Sequence, residues 1–242
     1  SLRNEGKEFY SIPLRAKQIP YAIEYLTDYL ENHSELYSFS SRCSSHIHLN
    51  VRDFTKERLF VFLLLYCLFE KHFFKIAGTK RESSIFCVPI YKTDQLQIII
   101  SREHYWKYWH KYIALNLCPI EGGDGSKRLG TIEFRHLYGT LNPKILYTWI
   151  NNILHLRKAS LNWNKENLLE EIKTLNTTSE YYSLYKQIFG NLCLNLTQED
   201  FESCISHIKT ALWGKIGFLK YPSCENSWMF NPVYIEKKNY FV

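Results

Sequence analysis

Two short runs, Ser45-His46-Ile47-His48-Leu49-Asn50 and Thr131-Ile132-Glu133-Phe134-Arg135, alternate polar and apolar residues with a period of two. Successive side chains of a strand point to opposite faces, so this period marks strands and does not suit a helix. His46, His48 and Asn50 then share one face, with Ile47, Leu49 and Val51 on the other. In the second run Thr131, Glu133 and Arg135 share a face, against Ile132 and Phe134. A sheet that shows His, His and Asn on one strand and Glu and Arg on another holds groups for a metal and for an anion. That inventory suits phosphoryl transfer or ligation.

The remaining composition sets the frame. The 242 residues suffice for one large domain, and a hydrophobic fraction of 45% with 16% aromatics argues for a filled core and against disorder. The net charge is +6 and the pI near 8.8. That balance suits acidic or phosphorylated substrates, but no dense Lys/Arg cluster is present and nucleic acid is not an expected partner. Seven cysteines are scattered, odd in number and without a CxxC pair. They point to a reducing compartment and away from a disulfide framework or a cysteine zinc site. The apolar run 59–69 is about half of the roughly 20 residues a membrane span needs, so it reads as a buried helix. No signal peptide is visible, and the expected location is the cytoplasm. The chain starts at Ser1 rather than Met, which suggests processing or a piece of a longer protein.

Along the chain, residues 6–14 read as a strand containing Glu8 and ending at Pro13. Helical spacing covers 18–32, and a Ser-rich loop leads through 34–44 to the His strand. Thr55 or Asp53 opens a helix that runs to about Ile76 and stops at Gly78. Residues 81–91 are irregular, and 112–117 reads as a further strand. After residue 141 the pattern is helical, with starts at Asn142-Pro143, Asn164, Ser179 and Thr197, the last resembling a capping box with Asp200. The expectation is an α+β chain: a mainly antiparallel sheet region over 1–150, and a helical part of the same domain over 151–242.

Each candidate has a plain structural alternative. The His46-x-His48 pair places two imidazoles on one strand face, as metal sites on sheets do, or is simply an exposed polar face. In Glu133-x-Arg135 a carboxylate could hold Mg²⁺ while a guanidinium takes a phosphate oxygen, or the two could form an ordinary ion pair. Glu70, between Phe69 and Phe73, is a solvated helix end or a cleft-facing acid. The glycine loop 122–126 matches no P-loop and reads as a turn. The aromatic stretch 105–112 reads as core before it reads as a stacking platform. No GxSxG elbow supports a serine nucleophile.

Taken in order, Ser1-Leu-Arg, Gly6-Lys-Glu8-Phe-Tyr-Ser11-Ile-Pro13-Leu, Ser45-His46-Ile-His48-Leu, Glu70, Arg81, Cys87, Tyr112-Ile-Ala-Leu-Asn116-Leu and Thr131-Ile-Glu133-Phe-Arg135 with Gly139-Thr140-Leu141 resemble the amidoligase family, relatives of glutamate–cysteine ligase and glutamine synthetase. The resemblance covers roughly residues 1–150. It implies a curved antiparallel sheet of the glutamine synthetase type, with helices over its outer face. It also implies an ATP-dependent carboxylate–amine ligase that forms an amide through an acyl phosphate, with ATP and Mg²⁺ as cofactors. Glu8, His48 and Glu133 would be metal ligands, and Arg135, Glu133 and Arg81 catalytic groups. His46, Glu70, Asn116 and Arg135 would bind substrate or ATP. The partners would be an amino-acid, peptide or protein carboxylate and an amine. The family carries a Glu-x-Glu strand before Ser-Leu-Arg, and the sequence begins at that point. A partner protein or separate segment would then supply the strand, or the chain is a non-catalytic, structural or binding member. Such genes resemble those of bacterial viruses and mobile elements, which would place the protein in a host cytoplasm or a virion. A metal-dependent hydrolase built on His46, His48 and Glu133 is a third reading.

Overall fold

The computed structural model describes residues 8–36, 40, 43–102, 104–123, 125–190 and 196–220, with residue 79 and the last eight described by backbone alone. The Ser-Leu-Arg and Gly6-Lys7 positions, Cys193, Cys224, part of the Ser-rich stretch and residue 124 of the glycine loop lie outside these residues.

Both alternating runs form strands. β1 (Ile47–Asn50) pairs antiparallel with β3 (Thr131–Phe134), with His48 opposite Glu133 and Asn50 opposite Thr131. β2 (Leu115–Asn116) joins the other side of β3, with Asn116 also opposite Glu133. The order β1-β3-β2 therefore lays His48, Glu133 and Asn116 in one row across the sheet. Ile47, Phe134 and Leu115 form the neighbouring row, which faces the other way. A slip of one residue in either pairing would exchange the wet and dry faces.

Helices cover the dry face. α2 (Lys56–Leu68) is apolar all round and buried from 61 to 68, as befits a helix inside the core. It starts where the Thr55 hydroxyl accepts from the Arg58 amide, and it breaks at Phe69. α3 (Glu70–Ala77) follows and stops at Gly78, whose φ of 91° favours glycine. The Phe134 ring packs at 6.3 Å from Phe62, 5.7 Å from Phe73 and 6.3 Å from Trp149 of α5 (Pro143–Asn162). Ahead of these, α1 (Ile19–Asn32) packs on α5 through a narrow stripe of Ile23, Thr27 and Leu30.

α4 (Gln95–Ser101), α6 (Lys165–Thr174), α7 (Thr178–Phe189) and α8 (Gln198–Lys220) complete the helices described. Asn164 caps α6, Thr177 and Glu180 form a capping box on α7, and Thr197 and Asp200 bond reciprocally at the start of α8. The Tyr181 hydroxyl donates to the Leu68 carbonyl at 2.8 Å and ties α7 to the end of α2. One hydrophobic core runs from the sheet through α2 and α5 to α8, so residues on both sides of position 150 share it.

The α+β expectation stands, with several differences of extent. Among the described residues the sheet has three short strands, and helices take up much of the first 150 residues as well. Residues 8–14 form no strand: Phe9, Tyr10 and Ile12 are exposed, and Pro13 lacks the amide a ladder needs. The strand expected over 112–117 shrinks to two residues, because Leu117 turns into the αR region ahead of Pro119. The helix expected at Ser179 begins at Thr178, since its capping box is centred on Thr177. The helix expected to run unbroken to Ile76 divides at Phe69.

Candidate functional site

Glu133 is the centre of the polar face. Its Oε1 accepts from the Arg135 guanidinium at 2.9 Å and lies 2.8 Å from His46 Nδ1, while Oε2 accepts from the Asn116 amide at 2.6 Å. His48 Nε2 stands 4.0 Å away, and its Nδ1 meets the Thr131 hydroxyl at 3.0 Å. His46 is oriented from behind by Ser44, whose hydroxyl lies 2.8 Å from Nε2. Asn116 uses its carbonyl oxygen to accept from the Cys118 amide at 2.9 Å, which fixes which way its NH₂ points. Five of the residues expected at the site, His46, His48, Asn116, Glu133 and Arg135, thus meet on one face of three strands.

The electrostatics follow from this shell. Burial alone would raise the Glu133 carboxyl, but the His46 contact, the Arg135 charge and the Asn116 bond together hold it down at about 2. Burial lowers the His48 imidazole, against the pull of the Glu133 carboxylate. The face therefore presents a permanent carboxylate and a permanent guanidinium, with imidazoles beside them.

Arg81 sits beneath this face. Its Nε donates to the His136 carbonyl at 2.8 Å and its Nη2 to the Arg135 carbonyl at 2.9 Å, which pins the backbone where β3 ends. It is a positioning group for Arg135, whose own Nε also donates to the Phe86 carbonyl at 3.3 Å.

Glu70 lies in the core on the dry side. It is buried and accepts from the Ile90 amide at 2.7 Å, the Tyr91 amide at 3.0 Å and the Tyr66 hydroxyl at 2.9 Å. Burial pushes its carboxyl up to about 7 despite those donors. The Tyr66 oxygen lies 2.6 Å from His136 Nε2. Because the phenol proton goes to Glu70, His136 must donate from Nε2, leaving Nδ1 as a bare acceptor with no partner among the described residues. Glu70 therefore braces the turn at residues 90–91 and does not line the polar face. His136 was not anticipated, although it continues the apolar alternation Ile132, Phe134 as a polar residue in a dry position.

Glu8 is exposed ahead of α1, where it bonds Tyr10, and its charge reaches His48. Among the described residues no three His, Cys, Asp or Glu side chains are grouped to hold a metal ion. Glu8, His48 and Glu133 are not grouped as a metal site among the described residues, and each Glu133 oxygen accepts from a protein donor. Cys43, Cys67, Cys87 and Cys204 are in no disulfide among the described residues. The aromatic stretch divides: Tyr105, Trp106 and Trp109 are core, while Tyr108 is exposed. The glycine loop is a turn with positive φ at Gly122 and Gly125.

No helix among the described residues is long and apolar enough to cross a membrane. No protein family, curated protein or solved structure matches the chain.

Proposed function

We propose that the polar face is the reaction surface of an ATP-dependent carboxylate–amine ligase of the amidoligase kind, on a glutamine synthetase-like sheet. One observation carries the reading: residues named by the resemblance from separate stretches of sequence, His46, His48, Asn116, Glu133 and Arg135, converge on a single face around one ionised carboxylate. The reaction would transfer the γ-phosphoryl group of ATP to a carboxylate oxygen, and an amine would then displace phosphate to leave an amide. In that scheme Arg135, held by Glu133 and by the Phe86 carbonyl, offers a fixed guanidinium to the anionic group in transfer. His46 and His48 flank the position where the amine loses a proton. Mg²⁺ belongs to the reading as a companion of ATP, with Glu8, His48 and Glu133 as the ligands the resemblance implies. The work would be done in the cytoplasm, a viral host's included, without a membrane, on an amino-acid, peptide or protein carboxylate.

Titration calorimetry with Mg-ATP tests this directly, with Arg135→Ala as the control. The expected outcome is Mg²⁺-dependent binding that the substitution abolishes, with ADP released when a carboxylate and an amine are added. ADP release that survives both Glu133→Gln and Arg135→Ala would overturn it.

A second reading is favoured by a specific contact. Both oxygens of Glu133 are occupied by protein donors, which suits a non-catalytic member that binds a partner, in a viral particle or with a protein that supplies an acidic strand. Absence of Mg-ATP binding at millimolar concentration would select it.

A further inference from the structure

The geometry points to a polypeptide as the carrier of the carboxylate this site recognises: an acidic residue flanked by apolar ones, laid across the polar face at its Phe86 end. The chemistry asked of that carboxylate rests on the ligase reading, whereas its recognition does not.

Three observations support it. First, the rim of the face is apolar and exposed. Ile85 is 73% exposed, Phe86 46% and Tyr138 38%. Phe86 is tied to the site by the bond from Arg135, and Tyr138 by its backbone pairing with Ser44, the residue that orients His46. Apolar side chains bordering a polar centre mark a surface that another chain covers.

Second, the charge is complementary at that end. Arg135 is paired with one ionised carboxylate, Glu133, and a second guanidinium, Arg81, donates to the His136 and Arg135 carbonyls behind it. Burial pushes the Cys87 thiol, next to Phe86, up to about 12, and the Arg81 and Arg135 charges oppose that rise. Glu8 acts at the other end, on His48. An incoming carboxylate is therefore drawn to the Arg135 end, where Ile85 and Phe86 lie.

Third, two hollows among the described residues lie away from this face. A cleft of about 410 Å³ lies at the far end of β1 and β3, lined by Arg52, Phe54, Arg128 and their neighbours. A smaller hollow of about 260 Å³ lies between the end of α6 and α8. A free amino acid binds well when a pocket encloses most of its surface. The face around Arg135 offers an anchor for one charge and an apolar border for its neighbours.

Fluorescence anisotropy on the full chain at low salt tests the proposal. The probe is fluorescein-labelled Ala-Ile-Glu-Val-Ala amide, and the competitors are its Gln analogue, Gly-Gly-Glu-Gly-Gly amide and N-acetylglutamate. The expected result is binding that weakens about tenfold for the Gln analogue, the scale of one lost charge-assisted hydrogen bond. Gly-flanked peptide and N-acetylglutamate should compete much more weakly than the parent. Phe86→Ala and, as an exposed second change, Ile85→Ser should weaken the apolar-flanked peptide several-fold and leave the Gly-flanked one unchanged. N-acetylglutamate competing as well as the peptide, indifference to both rim changes, or no binding at millimolar peptide would overturn it. Calorimetry with Mg-ATP on the same preparation separates the two claims. Peptide binding without nucleotide binding sinks the ligase reading alone, and nucleotide binding with no preference among the carboxylates sinks the polypeptide proposal alone.

Discussion

At the scale of single residues, two carboxylates of the same type are driven in opposite directions. Glu133 meets cations and an amide on the wet face and is held at about 2, below the ordinary 4.5. A group whose folded value is depressed stabilises the fold above its unfolded value, and that stability is lost as pH falls through the folded value. Its contribution, on the order of 3 kcal/mol, should therefore disappear between about pH 4.5 and pH 2. Urea unfolding of Glu133→Gln across this window should show a flatter pH dependence than the parent. A parallel pair of curves would contradict the assignment. Glu70 has the opposite sign. Burial raises it from 4.5 to about 7, so the folded state holds its proton more tightly. That contribution is full below about pH 4.5 and is lost as pH rises through 7. Glu70→Gln should remove the fall in stability between pH 5 and pH 8, read by thermal melts at fixed ionic strength.

At the scale of elements, the ends matter most. Thr55 satisfies the Arg58 amide at the start of α2, and Thr55→Ala should cost about 1 kcal/mol in urea unfolding. The start of β3 depends on Gly130, whose φ is 67°. A Cβ there would sit 2.5 Å from Arg52 Cγ, and Arg52 donates to the Leu129 carbonyl at 2.8 Å. Gly130→Ala should thus cost more than the roughly 1–2 kcal/mol of the left-handed backbone alone. Combined with Arg52→Ala, the excess should vanish, leaving the backbone part. Equal costs in both backgrounds would show that the side-chain clash plays no part.

At the scale of the whole molecule, the sheet is small and the helices hold it in place. Phe134 has no exposed surface and touches Phe62, Tyr66, Phe73 and Trp149, which links β3 to α2, α3 and α5 at once. Phe134→Ala should cost about 3–5 kcal/mol, measured by denaturant midpoint, and should loosen the polar face on the same strand. The local patterns reached much of this fold and part of the site. A period of two in residues 46–50 and 131–135 sorted wet from dry faces, because strand geometry leaves no other choice. Side-chain caps at Thr55, Asn142, Asn164 and Thr197 marked helix starts for a similarly local reason. At residues 8–14 the strand reading found no partner edge among the described residues.

By itself the sequence determined which residues face together and where most helices begin, since both depend on backbone geometry within a few positions. Only the tertiary structure decided that His48 and Asn116 would both stand opposite Glu133, because strand pairing joins stretches far apart in the chain. It also moved Glu70 into the core and Arg81 under the face. Their roles depend on which distant amides and carbonyls lie within about 3 Å, a matter of packing that no local pattern encodes.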